Sequence, residues 1–294
     1  MLETTVVIAT RNRAGLLQGC LERLAGQSAN GRFDVVVVDN GSTDDTAGAV
    51  ARAAAAGLAV RRIVVAEANR GKARNAGIAS AAGELVIFCD DDTLPPRGFV
   101  EAHLRAHASA PASIVSGPIV NVPDAEHLPP PGPQHYSRAF LCTCNASVAR
   151  AELDAVGGFD EGYDLYGWED TDLGVRLRDR GARRAWSWDA YIYHVKPPVS
   201  TSLDKRIALA AEKGEMAARF VRKSPTPAVR LATGAYAFNF LRASLLDAPP
   251  LRRWYARLAL DPERAGTPLG RFAADALVDA AYVGALRSAM RSHG

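Results

Sequence analysis

Short apolar runs alternate with helix-period stretches through the first 92 residues. Runs at 5–9, 34–38, 60–65 and 85–89 are rich in Val, Ile and Thr and have strand length. Their nearly unbroken apolar character predicts strands covered on both faces. After the first run, Leu16, Leu17, Cys20, Leu21 and Leu24 recur on one helical face. Ser42-Thr43-Asp44-Asp45 is a helix-start signal and opens an Ala-rich helix that ends near Gly57. A third helix is expected over about 72–82. Strand and helix in alternation predict an α/β unit built on a mainly parallel sheet. Such sheets bind ligands beyond the carboxyl ends of their strands. Asn12, Asp39 and Asp90 stand at those ends.

After residue 92 the pattern loosens. Pro95 is expected to open a helix running to about His107, followed by a strand at 113–120. Residues 122–135 contain five prolines and predict a loop. A strand-like run at 139–148 and a short helix lead to Gly157-Gly158-Phe159-Asp160-Glu161. A helix should start near Glu169, with Leu173 and Leu177 on one face and Gly181 as its terminator. A strand over 190–195 closes this part. Residues 201–294 read as helices separated by loops near Pro225, Pro249 and Pro268. The expected division is therefore 1–200, split at 92/93 into two halves, and a helical extension over 201–294.

Composition supports a globular chain with a real core, at 48% hydrophobic and 23% charged. Charge is uneven. Residues 1–200 carry 20 Lys+Arg against 24 Asp+Glu, whereas residues 201–294 carry 15 against 8. The extension is a basic appendage on a mildly acidic body. Its Arg219, Arg222, Lys223, Arg230 and Arg242 either stay in water on packed helices or meet an anionic membrane surface. No apolar run is long enough to span a bilayer. Met1 leads at once into a strand, so no leader is expected. The expected location is the cytoplasm or the inner face of the membrane, and no nucleic-acid partner is expected. Cys20, Cys89, Cys142 and Cys144 fit neither a zinc pattern nor a disulfide scaffold and are expected to pack as small apolar groups.

The chemistry concentrates at Asp90-Asp91-Asp92, where a buried strand runs into three carboxylates. Repulsion and desolvation make such a group costly without a cation. On an extended backbone Asp90 and Asp92 share a face and Asp91 points away. Two hard oxygens on one face suit Mg2+ or Mn2+ carrying a diphosphate; a solvated turn or helix cap is the alternative. Asp39 could accept from a base or ribose, or close a capping turn. Asn69-Arg70-Gly71-Lys72-Ala73-Arg74-Asn75 opens a helix whose N-terminus and cations favour an anion.

Taken in order, six motifs resemble one family. They are Ala9-Thr10-Arg11-Asn12, Val38-Asp39-Asn40-Gly41-Ser42-Thr43-Asp44, Gly71-Lys72-Ala73-Arg74-Asn75, Asp90-Asp91-Asp92, Gly157-Gly158-Phe159-Asp160-Glu161 and Trp168-Glu169-Asp170. Over about 4–195 the chain is similar to the inverting, nucleotide-sugar glycosyltransferases with the A-type fold, a family 2-like group. The resemblance implies a Rossmann-like α/β fold with a mixed, mainly parallel sheet. It implies that Thr10, Arg11, Asn12 and Asp39 line the nucleoside pocket, with Lys72, Asp90 and Asp91 also on the nucleotide. It implies that Asp92 holds Mn2+ or Mg2+, with His194 as a further ligand. Asp170 would be the general base, Glu169 would bind sugar, and Trp168 would stack on a sugar face or pack in the core. The expected donor is a nucleotide-sugar, UDP by family habit. The expected acceptor is a saccharide, natural product or lipid-linked molecule, taking one sugar. A sugar nucleotidyltransferase and a catalytically silent nucleotide-sugar binder are the competing readings.

Overall fold

The computed structural model describes residues 3–67, 69–109, 113–196 and 202–292. Residues 1 and 2, where a leader would begin, lie outside them. The chain forms two compact units, Met1–Asp164 with Glu169–Pro198, and Leu165–Trp168 with Val199–Gly294.

In the first unit, β1 (Thr4–Thr10), β2 (Phe33–Asp39), β3 (Val60–Val64) and β4 (Leu85–Asp90) alternate with α1 (Ala14–Ala25), α2 (Thr46–Ala55) and α3 (Arg70–Ser80). Further on come β5 (Thr93–Leu94), α4 (Phe99–Ser109), β6 (Ser113–Ser116), β7 (Ile119–Val122), β8 (Asn145–Ala149), α5 (Arg150–Ala155), α6 (Glu169–Asp179), β9 (Arg183–Trp186) and β10 (Ile192–Val195). The main sheet has the order β3-β2-β1-β4-β8-β6-β9, and a small second sheet has the order β5-β10-β7. In the main sheet β8 runs antiparallel to β4 and β6, while the other pairs are parallel. The fold is thus the expected α/β fold with a mixed, mainly parallel sheet.

Side-chain alternation explains the continuous valine runs. Val35 and Val37 pack with Leu17, Leu21 and Val50 on one face. Val36 and Val38 pack with Ala73, Ile78 and Leu173 on the other. Both faces are apolar because helices cover both.

The second half departs from the expected boundaries for local reasons. The single strand expected at 113–120 is two strands, broken at Gly117-Pro118. A Cβ on Gly117 would stand 1.9 Å from the Ala190 carbonyl oxygen, and Pro118 has no N–H to continue a ladder. Of the run 139–148 only Asn145–Ala149 is strand, and the preceding Thr143 N–H donates to Asp170 rather than to a neighbouring strand. β9 begins with two arginines, which hid it from an apolar-run reading. The helix expected from Pro95 starts at Phe99.

The second unit holds α7 (Leu203–Lys223), α8 (Pro227–Thr233), α9 (Ala237–Leu246), α10 (Pro249–Leu260) and α11 (Pro268–Arg291). Pro249 and Pro268 sit in the first turns of helices, where the missing N–H costs nothing, rather than in loops. α7 and α11 approach closely at Gly214, where a Cβ would meet the Tyr282 carbonyl oxygen at 2.3 Å. Among the described residues no helix is long and apolar enough to cross a membrane.

Candidate active site

Register brings the acidic end of β4 beside the ends of β1 and β2. Thr10 pairs with Asp39 and Ala9 with Asp90. The backbone then turns at Asp91 and Asp92 before β5, so the side chains do not alternate as on an extended strand. Arg13 serves two of the aspartates and Arg74 the third. Asp91 is buried; its carboxylate accepts from Thr10 Oγ1 at 2.7 Å and from the Arg13 guanidinium at 3.1 Å. Asp92 Oδ2 accepts from Arg13 at 2.9 Å. Asp90 pairs with Arg74 at 3.6 Å.

Burial pushes the Asp91 carboxyl up to about 6, against the Thr10 hydrogen bond and the Arg13 charge. Burial also raises Asp90, only partly offset by Arg74. For Asp92 burial pulls the same way, but His194 and Arg13 outweigh it and hold the carboxyl below its usual range. Of the three, only Asp92 is held below the usual carboxylate range.

His194 reaches Asp92 because β10 lies between β5 and β7. Its register partners are Thr93 and Asn121. His194 Nδ1 is 3.1 Å from Asn121 Oδ1, which can accept an Nδ1 proton. Nε2 lies 3.2 Å from Asp92 Oδ1, an ion-pair distance. That Asp92 oxygen is buried and accepts no hydrogen bond. With the ring neutral and its proton on Nδ1, Nε2 and Asp92 Oδ1 would offer two lone pairs at a separation that suits adjacent positions of an octahedral shell, where bonds near 2.1 Å place neighbours about 3 Å apart. Two donors do not complete a site: among the described residues no group of three or more His, Cys, Asp or Glu is arranged to hold a metal. Water and a phosphate oxygen are the usual remaining ligands of Mg2+.

A second group of carboxylates gathers on Arg74. This guanidinium, 11% exposed, lies 3.2 Å from Glu169 Oε1 and 3.5 Å from Asp170 Oδ1, in addition to Asp90. It also sits 5.6 Å from the centre of the Phe159 ring. Asp170 Oδ2 is fixed by the Thr143 N–H at 2.9 Å and its hydroxyl at 2.8 Å. Asp170 Oδ1 accepts no hydrogen bond. Burial and the adjacent Asp170 push Glu169 up, against the Arg74 charge. The result is one oriented carboxylate with a lone pair to spare, beside a Glu169 carboxyl held above its ordinary range.

The loop before α6 keeps Arg74 in place. Asn75 Nδ2 donates to the Phe159 carbonyl at 3.0 Å and its Oδ1 accepts from the Phe159 N–H at 2.7 Å. Gly158 has φ +66°, and a Cβ there would stand 2.4 Å from Asn75 Oδ1. Asn69 caps α3 by accepting from Lys72 N at 2.9 Å and donates to the Glu161 carbonyl at 2.8 Å.

The remaining expected site residues are distributed as follows. Asn12, in the left-handed region at φ 54°, ties two loops together: its N–H donates to Ser42 Oγ and its Oδ1 accepts from Thr43 N. Asp39 is fully buried, with one oxygen accepting from Ser42 N and the other from Arg62. Those bonds outweigh burial and hold it below the usual carboxylate range. Arg11 is exposed. Lys72 pairs with Glu67. Trp168 belongs to the second unit, where its indole stacks on Phe220 at 5.7 Å and donates to the Lys213 carbonyl at 3.0 Å.

Arg74, Arg13, Thr143, Arg62 and Asn121 carry parts of this arrangement that the sequence reading did not assign. Arg74 stood inside a quoted motif, and that was its signal. The other four have none, because each acquires its partner through register or loop closure.

The glycosyl transferase family 2 profile matches residues 5–159, and a second profile, the N-terminal domain of galactosyltransferase, matches 128–196. Validoxylamine A glucosyltransferase of Streptomyces hygroscopicus subsp. jinggangensis is 32% identical over 232 residues, covering 63% of this chain and 55% of that protein. The chain spans about half the length of the curated relatives it matches first. Among solved structures, the mannosyltransferase PcManGT of Pyrobaculum calidifontis, in complex with GDP-Man and Mn2+, aligns at TM-score 0.67 with 22% identity. It covers 99% of this chain and 88% of that one. TarS 1–349 of S. aureus, in complex with UDP-GlcNAc, aligns at TM-score 0.60 with 20% identity, covering 98% and 91%. These likenesses establish the fold.

Proposed function

Because the chain belongs to glycosyl transferase family 2, we propose that it transfers one sugar from a nucleotide-sugar to an acceptor hydroxyl with inversion, using Asp170 as general base. One observation carries this reading. Asp170 is anchored through Oδ2 by Thr143 while Oδ1 keeps an unused lone pair next to Arg74. A base must be positioned first and tuned second. In the reaction the acceptor O–H gives its proton to Asp170 Oδ1 and its oxygen bonds to the anomeric carbon. The bond from that carbon to the diphosphate breaks on the opposite face, and the electron pair leaves with the nucleotide. Arg74 lies 3.5 Å from Asp170 Oδ1 and orients it. Glu169, on the same guanidinium, faces the donor sugar.

Asp92 and His194 would hold Mn2+ or Mg2+, whose charge neutralises a departing diphosphate. The mannosyltransferase relative was solved with GDP-Man and Mn2+, and TarS with UDP-GlcNAc; a nucleoside diphosphate sugar, with UDP as first choice, is the donor class in this reading. Thr10, Arg11, Asn12, Lys72, Asp90 and Asp91 take the nucleotide. Asp39, with both oxygens already engaged, shapes the pocket wall through Ser42 and Arg62. Saccharides, natural products and lipid-linked molecules are the acceptor classes, and the reading includes peripheral contact of the basic helices with a membrane.

The test is a thermal-shift screen of nucleotide-sugars with and without Mn2+, since ligands that bind the folded state raise the melting point. At least one donor is expected to stabilise more with Mn2+ than without. Asp92→Ala is expected to abolish the Mn2+-dependent increment and leave the metal-free shift. An unchanged increment in that variant would remove Asp92 from the metal site.

A further inference from the structure

Helix α9 is amphipathic in the opposite sense from a helix that packs on a core. Phe238, Leu241 and Leu245 are 72%, 59% and 64% exposed. Spaced by three and four, they form one stripe on the outer face. The buried positions of the same helix are Asn239 and Ala243. Asn239 is held inside by the Gly234 carbonyl and Arg242. Leu231 on the preceding α8 is 71% exposed as well.

Beside this stripe, an apolar groove of about 410 Å3 runs between α9 and the end of α11, with Phe240, Leu241 and Met290 in its walls. A second groove, of about 490 Å3, is lined by Ser288 and Ser292. Arg287 and Arg291 line both. Arg287 is steered toward α9 by a 2.7 Å hydrogen bond to Ser244 Oγ. Segments 225–246 and 280–292 contain four arginines and no Asp or Glu. An apolar stripe therefore adjoins a cationic strip with no acidic residue in either segment.

We propose that this face of the helical unit docks on a bilayer surface containing anionic lipid. Phe238, Leu241, Leu245 and Leu231 enter the acyl boundary, and Arg287 and Arg291 meet lipid phosphates. Charge decides among occupants. A second copy in a two-fold contact sets the patch against itself, which opposes arginine to arginine. An anionic interface offers the opposite charge and an apolar layer at the depth that large side chains reach. Arginine snorkels, with its stem along the apolar surface and its head among phosphates. The inference deepens the membrane contact of the reading above. It differs from the sequence-based expectation in using Arg287 and Arg291, since Arg222 and Arg242 are occupied by the Ala289 carbonyl and Asp279.

The experiment is flotation of the full chain with phosphatidylcholine vesicles, with and without phosphatidylglycerol, at low and physiological salt. Binding is expected to be about tenfold or more stronger on the anionic vesicles and to weaken with salt. Leu241→Ser/Leu245→Ser is expected to lose binding to both vesicle types. Arg287→Gln/Arg291→Gln is expected to lose only the preference for anionic lipid. Equal partition to both vesicles by the wild type, no binding, or unchanged binding by either variant overturns the proposal. So does a dimer in sedimentation velocity that Phe238→Ser dissolves. All substituted residues lie on the surface of the helical unit. Donor-induced thermal shift, read on the same samples, is expected to be unchanged, so sugar-nucleotide binding and membrane docking can each fail alone.

Discussion

Arg74 holds three carboxylates whose sequence positions are 90, 169 and 170. Removing a partner from a buried ion pair leaves charge uncompensated. Arg74→Met is therefore expected to destabilise the protein by on the order of 3 kcal/mol at neutral pH, read by chemical denaturation. Arg74→Lys restores the charge but not the planar fork and should recover only part of the loss. Stability of Arg74→Met equal to wild type would show that the carboxylates do not depend on this cation. At this scale the sequence displayed the carboxylates well. Three consecutive aspartates after a buried strand and an acidic pair at a helix start were visible as chemistry. Their partners were not, because Arg13 and Thr143 meet them only after the sheet is assembled.

At the scale of elements, the first four strands and β10 were legible, half-exposed β3 among them, whereas β5 and β9 were not. β1, β2 and β4 announce themselves because their central side chains form runs of Val, Ile, Leu and Phe. β9 opens with Arg183-Arg184, and β5 is only two residues long, so neither has a pattern to read. Asp91 and Asp92 were read as extended, but the chain turns there so that β5 can pair with β10. The loop of Gly157–Glu161 was recognised as a motif, yet its task of clamping α3 through Asn75 follows only from contact. Gly158→Ala adds a Cβ at positive φ against Asn75 Oδ1. A loss of about 1–3 kcal/mol in unfolding free energy is expected. A neutral result would mean that the loop has another conformation.

Packing of α4 on β8 makes a separate prediction about acid. His103 is fully buried, with Nδ1 2.7 Å from Ser147 Oγ and Nε2 3.0 Å from Asn145 Oδ1. Burial pushes its pKa down to about 3 from an ordinary value of 6.5, with Asn145 opposing and His107 adding. Between those values the unfolded chain binds a proton that the folded chain refuses. Stability from this group is thus complete above pH 6.5 and is lost as pH falls toward 3, by about 1.4 kcal/mol per unit. His103→Gln is expected to flatten the fall of melting temperature between pH 6.5 and pH 4 relative to wild type. Parallel curves would contradict the buried neutral imidazole.

At the scale of the whole molecule, the charge asymmetry between 1–200 and 201–294 was legible from counting alone. The identity of the exposed faces within the helical unit was not, because an apolar stripe looks the same in sequence whether it turns in or out. Trp168 shows the same limit. Its place before Glu169 left a sugar platform and core packing both open, and in the folded chain its indole stacks on Phe220 of α7. Function at this scale rests on one assignment, the base. With the best-stabilising nucleotide-sugar and Mn2+, hydrolysis of the donor by water and the donor dissociation constant are measured for wild type and Asp170→Asn. The account predicts an unchanged dissociation constant and a rate lower by about two to four orders of magnitude. Hydrolysis by Asp170→Asn at the wild-type rate would contradict it and move the base to another carboxylate, with Glu169 the next to test.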